Sequence, residues 1–271
     1  MITIIKKLYR FFIKKPRRKF KLILNKLGDK HKCYVCGHSF NYFSKYSGGK
    51  KNIPEFRKKL NMVGSDIDNF GCPHCHSHDR ERHLYMFFDK LDFWKKIPEF
   101  KILHFAPEKN LSKKIELLNP IKYIKADLNP KNDTIEHIDA TNIKFNDNTF
   151  DFIICNHVLE HIPDYLQALK ELFRVLKPNG IGILQTPYSK LLSENFEDKY
   201  INTDELRKFF YGEKDHFRIF SEKNFFEDFK NTGFILNIIK NADFFDAETS
   251  EYYGVNMKED LVKVSKPDKI I

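Results

Sequence analysis

Between Lys101 and His161, short apolar runs alternate with polar closures. KILHF (101–105) ends in the turn-like APEKN (106–110), KYIKAD (122–127) ends in an acid, and EHIDATN (136–142) is a shorter run closing on Asp139. TFDFIICNHVLEH (149–161) completes the set. Runs of this length that end on a polar group predict parallel strands whose carboxyl ends line a ligand crevice. Strands are expected at 101–105, 121–126, 135–138 and 150–155. A helix is expected over 111–118, stopped by Asn119-Pro120. A second helix should follow Asp164 as its cap, with Tyr165, Leu169, Leu172 and Leu176 on one apolar face. Pro178-Asn179-Gly180 should stop it, and GIGILQT supplies a fifth strand. Gly233 should close a late helix, residues 234–239 extend the sheet, and residues 261–264 add an antiparallel seventh strand after a loop holding Tyr252 and Tyr253. Residues 188–211 show no clean period. The predicted fold class is α/β, a doubly wound seven-stranded sheet.

The spacing of the acids sharpens the picture. Asp127 follows the end of the first strand by about 22 positions, where a carboxylate in a doubly wound fold can accept two hydrogen bonds from a ribose diol. In this order the blocks resemble the class I S-adenosylmethionine-dependent methyltransferases, of the type 11-like kind, over residues 100–265. Residues 101–110 stand at that family's glycine-rich first motif, Asp127 at its ribose acid, Asp139-Ala140-Thr141 at its adenine segment, and FDFIICNHVLEHIPD at its fourth strand and following turn. LKELFRVLKPNGIGILQTP (169–187) continues the likeness. The family has an acid at His104 and glycines at Ala106, Glu108 and Asn110, so this chain departs from it in the first loop. The resemblance implies a Rossmann-like domain binding S-adenosyl-L-methionine through His104, Phe105, Ala106, Pro107, Glu108, Asp127, Leu128, Asp139, Ala140, Thr141, Asn156 and His157. Methyl transfer from a sulfonium needs alignment first and a base second, and His157, Glu160, His161 and His216 are the acid–base candidates. Glu160 and His161 could equally cap the next helical turn, and Arg218 pairs with His216 as a second rim candidate.

Upstream lies a different chemistry. Cys33-Tyr-Val-Cys36 and Cys72-Pro-His-Cys75 are two CxxC knuckles, the pattern of a tetrahedral zinc ribbon with a closed, structural ion. Cys155 lies within an apolar run and is expected as a buried small hydrophobe. SHDRERHLYMFFDKL follows, with Leu84, Phe87, Phe88 and Leu91 at helical spacing, and predicts a helix docking head to body. Arg80 and Arg82 within it could bind an anionic part of an acceptor or pair with local acids. The expected organisation is an arm over 1–30, a zinc-ribbon head with its docking helix over 31–92, and the Rossmann-like domain over 93–271.

Charge narrows the partners. The chain has a formal charge of +10, but residues 1–32 hold twelve Lys or Arg against Asp29, leaving the remainder at −1. The body therefore lacks the broad positive field of a phosphate-backbone binder. The basic, partly apolar arm suits a peripheral contact with an anionic membrane surface, a packed arm or a solvated tail. These features point to a cytoplasmic methyltransferase, peripheral at the inner membrane surface in one reading, acting on O or N of a small molecule, sugar or glycan precursor. The alternatives are a zinc-ribbon RNA methyltransferase and a non-catalytic zinc and nucleotide-binding module.

Overall fold

A computed structural model describes residues 24–268; most of the predicted arm lies outside the described residues. The head opens with a hairpin of β1 (His31–Lys32) and β2 (Ser39–Phe40), followed by α1 (Glu55–Lys58) and β3 (Met62–Val63). The predicted docking helix is α2 (Asp79–Lys90), and α3 (Phe93–Lys96) follows it. The body runs β4 (Lys101–Phe105), α4 (Lys109–Leu117), β5 (Lys122–Asp127), β6 (Glu136–His137), β7 (Phe150–Asn156), α5 (Tyr165–Val175) and β8 (Leu176–Gln185). It continues with β9 (Tyr188–Ser189), α6 (Asp204–Phe210), β10 (Phe220–Ser221), α7 (Glu222–Thr232), β11 (Ile235–Ile239), α8 (Ala247–Tyr253) and β12 (Leu261–Ser265).

Seven strands form one sheet in the order β11-β12-β8-β7-β4-β5-β6, all parallel except β12, which runs antiparallel to both neighbours. The chain winds outward from β4 through β5 to β6, then returns to the other side of β4 at β7. That reversal opens a crevice beyond the carboxyl ends of β4 and β7. Alternate residues of the central strands face opposite layers. Leu103, Phe105 and Ile153 pack with Leu169 and Leu172 of α5 and with Phe225 and Phe229 of α7. Ile102, Phe152 and Ile154 pack with Leu111 and Ile115 of α4 and with Leu84, Met86, Phe87 and Phe88 of α2. The docking helix is thus part of the sheet's own core, not a lid resting on it. The head is also tied in by backbone, because β3 pairs antiparallel with β9.

Three expectations change. The fifth strand starts at Leu176, and KPNG lies within it: Leu176 is already extended (ψ 134°) and buried, and pairs with Phe150. The ladder is irregular between Phe150 and Phe152, and such a bulge tolerates the N–H that Pro178 lacks. Tyr252 and Tyr253 belong to a helix, α8, capped by the Asp246 carboxylate on Thr249 N and closed by left-handed Gly254. The third strand shrinks to two residues.

Candidate functional site

The first loop explains how a chain without the expected glycines turns out of β4. Ala106 sits in left-handed backbone (φ 44°), and His157, at the equivalent place after β7, does the same (φ 56°). Two non-glycine residues in this region at the two carboxyl ends flanking the switch point store strain that the surroundings must hold. They are held by buried polar groups. His104, fully buried, stands 2.9 Å from Glu108 Oε2 through Nε2 and 2.8 Å from the Tyr123 hydroxyl through Nδ1. Asn156 donates to the other oxygen, Glu108 Oε1, at 2.7 Å, leaving its own Oδ1 buried and unpaired. Burial alone would raise the Glu108 carboxyl; the hydrogen bond and charge of His104, with the Arg80 guanidinium, hold it below the usual carboxylate range. The acid missing at position 104 is thus supplied four residues on.

Glu81 of α2, nearly buried, completes the loop. Its Oε1 accepts from the backbone N–H of Asn110 (2.7 Å) and Leu111 (2.8 Å), and its Oε2 from the Asn110 side chain (2.9 Å). Burial outweighs these donors and lifts its carboxyl above the usual range. It satisfies amide groups that the first turn of α4 leaves without helical partners.

The ribose and adenine candidates lie side by side. Asp127 pairs with His137 across β5–β6, and Asp127 O accepts from Ile138 N at 3.1 Å. Asp127 Oδ1 accepts from Asn129 N at 2.8 Å. Asp139 is exposed and turns the chain by accepting from Thr141 N (2.8 Å) and Thr141 Oγ1 (2.7 Å). Ala140 is buried and Leu128 is 55% exposed. Phe105 is in the core and its backbone register places it between Ala126 and Cys155, while Pro107 forms the turn itself.

His157, Glu160, His161 and His216 converge beyond the end of β7. Both ring nitrogens of His157 face carboxylates: Nδ1 lies 3.6 Å from Glu160 Oε1 and Nε2 lies 3.5 Å from Glu259 Oε1. With a side chain only 4% exposed, it sits between the two carboxylates at the end of β7, and its Nε2 has no hydrogen-bond partner among the described residues. His161, 35% exposed, and His216, whose ring meets it edge-on at 4.6 Å, are the imidazoles nearer solvent. Burial pushes His216 down to about 4. Burial would raise Glu160, but the three neighbouring imidazoles hold it below the ordinary range. Arg218 is not a rim group: it is 1% exposed, and it donates to Glu197 and to the carbonyls of Ile162 (2.5 Å) and Pro163 (2.6 Å). Glu81 and Thr186 lie within quoted stretches but drew no role there, and Glu259 lies outside any recognisable motif; what each contacts depends on distant chain. Only the run of acids at Glu259-Asp260 ahead of an apolar strand hinted at one of them.

In the head, the four cysteines converge. Their sulfurs all lie within 4.8 Å of one another, with Cys33–Cys75 at 3.6 Å and Cys36–Cys72 at 3.8 Å. A tetrahedral zinc with bonds of about 2.3 Å has edges of about 3.8 Å, so the donor set fits. The knuckles are alike: Gly37 N donates to Cys33 O and His76 N to Cys72 O, and both Gly37 (φ 73°) and His76 (φ 62°) are left-handed. Ser77 Oγ lies 3.3 and 3.2 Å from the sulfurs of Cys33 and Cys75. Cys155 is fully buried, and burial pushes its thiol up.

Arg82 joins the two halves. Fully buried, it directs all five N–H groups at carbonyls: Asn69 (2.5 Å), Phe70 (3.2 Å) and Ser77 (2.7 Å) in the head, Tyr253 (2.9 Å) and Gly254 (2.6 Å) in the body. Phe43 stacks on its guanidinium at 4.1 Å. Arg80 differs: it is half-buried, its Nε–H has no partner, and its charge reaches Glu108. A separate surface recess of about 260 Å³, lined by Lys30, His31, Glu248, Glu251 and Tyr252, lies at the head–α8 junction and gathers no comparable set of groups.

Comparison with known proteins places this geometry. Residues 115–184 match a family described as a methyltransferase domain. A demethylmenaquinone methyltransferase of Staphylococcus epidermidis is 49% identical over 53 residues, 20% of this chain and 22% of that protein. One from Geobacillus sp. is 44% identical over 57 residues, 21% and 24% of the two chains. The chain therefore aligns with less than a quarter of the length of these curated relatives. Among solved structures, an S-adenosylmethionine-dependent methyltransferase from Mesorhizobium loti is similar over 67% of this chain and 98% of its own, with a TM-score of 0.49 and 12% identity. The YcgJ protein of Bacillus subtilis is similar over 69% and 100%, with a TM-score of 0.45 and 13% identity. The matched stretch runs from Ile115 in the first crossover helix to Leu184 in β8, and so spans the two strand ends β5 and β7 on either side of β4.

Proposed function

We propose that the protein is an S-adenosyl-L-methionine-dependent methyltransferase acting on oxygen or nitrogen of a small molecule, a sugar or a glycan precursor, with a structural zinc in its head. The observation that carries the reading is the switch point itself: two strained strand ends, at Ala106 and His157, open on a crevice flanked by Asp127. The cofactor would supply an activated methyl group on a sulfonium. Asp127 would hold its ribose, and the Asp139–Thr141 turn its base. Glu108 suits a cationic part of the ligand, the orphaned Asn156 Oδ1 can take a donor, and the unpaired Arg80 Nε–H can take a carboxylate. The first turn of α4 is already occupied by Glu81, so a ligand carboxylate has reason to look to Arg80.

The acceptor side is the segment after β8, which exposes Leu191 (65%), Tyr200 (73%) and Phe209 (50%). Exposed apolar side chains in that segment suit a small or lipid-linked acceptor better than a phosphate backbone, and the matched relatives are named demethylmenaquinone methyltransferases. No helix among the described residues is long and apolar enough to cross a membrane; a surface contact through residues 1–30 remains part of this proposal. The test is incubation of purified protein with methyl-labelled cofactor and separate pools of RNA, polysaccharide precursors and extracted lipids. Label entering the precursor or lipid pool supports the reading. Label in RNA alone would replace the acceptor class, and absence of cofactor binding by calorimetry would end the proposal.

A further inference from the structure

Glu160, His161 and His216 form a second cluster of metal-ligating groups, far in character from the four thiols. One oxygen or nitrogen from each lies within 4.8 Å of the others. From their geometry we infer that they bind a divalent first-row transition ion through one carboxylate and two imidazoles, with coordination positions left open toward the crevice.

The cluster is built to hold its shape. Glu160 is 2% exposed, and Thr186 Oγ1 donates to its Oε2 at 2.6 Å, which turns Oε1 toward the imidazoles. Phe217 N donates to Glu160 O at 2.9 Å, fixing the loop segment carrying His216 against the turn carrying Glu160 and His161. Asp215 Oδ2 lies 3.3 Å from His161 Nδ1, and Nε2 of the same ring lies 4.0 Å from Glu160 Oε1. A carboxylate behind one ring nitrogen favours the proton there and leaves the other as a ligand, the arrangement that orients metal-bound histidines. Among the described residues, no Lys or Arg lies within ion-pair distance of Glu160; its neighbours are imidazoles. A buried carboxylate without a fixed cation is one that a metal ion stabilises.

Glu160 Oε1 and His161 Nε2 stand 4.0 Å apart, more than the edge of about 3.4 Å expected for 2.1 Å bonds in a tetrahedral site. A modest rotation of the His161 side chain, 35% exposed, would close that gap. Two imidazoles and a carboxylate with open positions suit Fe(II), Mn(II), Co(II) or Zn(II). The cysteine site is all-thiolate and closed, so the two can be told apart. The inference stands apart from the methyl-transfer reading, because its test measures bound metal and not turnover.

Zinc-loaded full-length protein, dialysed to remove loosely held ions, is titrated with Co(II). The expected result is one further equivalent per chain, with visible d–d bands and no thiolate charge-transfer band. Glu160→Gln and the exposed-site variant His161→Ala should each weaken it by roughly tenfold or more, and Asp215→Asn by about tenfold. Melting temperature and zinc content report whether each variant has kept its fold. No uptake beyond zinc by the parent protein overturns the inference. So does uptake that His161→Ala and Asp215→Asn both leave unchanged.

Discussion

Replacing Arg82 by lysine tests how the head and body are joined. The charge is kept and the fork is lost. A lysine offers three donors from one nitrogen, so at least two of the five carbonyls now served by Arg82 must go without a charged partner. A hydrogen bond to a charged group contributes about 1.5–3 kcal/mol, so the loss is roughly 3–6 kcal/mol, eased where water can enter. Asp79 beside it is fully buried, and burial raises its carboxyl, so a displaced cation also leaves a poorly compensated acid. For a chain of this length each kcal/mol lowers the melting temperature by about 2–4 °C, giving an expected drop on the order of 10 °C. Thermal unfolding followed by circular dichroism gives the shift, and limited proteolysis shows whether cleavage moves into residues 41–78. A shift under about 3 °C would mean that the five contacts are not what couples the two halves.

Three further outcomes are expected. Asp127→Ala should weaken S-adenosyl-L-methionine binding by one to two decades in calorimetry, through loss of a carboxylate contact of roughly 1.5–3 kcal/mol; unchanged affinity would place the ribose elsewhere. Elemental analysis should find one chelator-resistant zinc per chain, absent after Cys72→Ser, with strong chelation unfolding the head before the sheet. Glu259 is buried, and the facing imidazoles of His157 and His83 overcome that burial and draw its carboxyl from 4.5 down to about 2. Its stabilisation is complete above pH 4.5 and is lost as pH falls toward 2, up to about 3 kcal/mol. Melts of Glu259→Gln should therefore show a flatter acid limb than the parent, a comparison in which the thiolates' own titration cancels.

The strands at 101–105 and 150–156 were legible because their apolar runs are long and end on polar groups, and α5 because Asp164 caps it. The cysteine cluster was equally legible, since CxxC spacing is local. What could not be read depends on distant partners. KPNG reads as a helix stop, but the chain has already entered the ladder at Leu176, two residues ahead of the proline. Arg82 reads as a group for an anionic acceptor or for local acids, because nothing in its neighbourhood of sequence shows that carbonyls about 170 residues away close around it. His157 reads as a base, and only the folded chain brings Glu259 to its second nitrogen.

The cysteine-bearing head and the first loop are better understood as one device. A loop that turns at Ala106 without glycine carries strain, and a short helix N-terminus beside it carries bare amide groups. Glycine-rich loops meet both problems by being small and by leaving those amides to a ligand. Here α2 meets them differently, with Glu81 on the amides and its apolar face in the sheet's core. The same helix begins four residues after Cys75 and contains Arg82, which grips the loop between the knuckles at Asn69 and Phe70. Order in the cysteine cluster is therefore coupled to the crevice through one helix. A loop so braced need not be ordered by its ligand, so binding loses less conformational entropy than it would with glycines. On this argument the departure from a glycine-rich loop and the presence of the head go together: without α2 to brace it, Ala106 would have little to hold it in its left-handed turn.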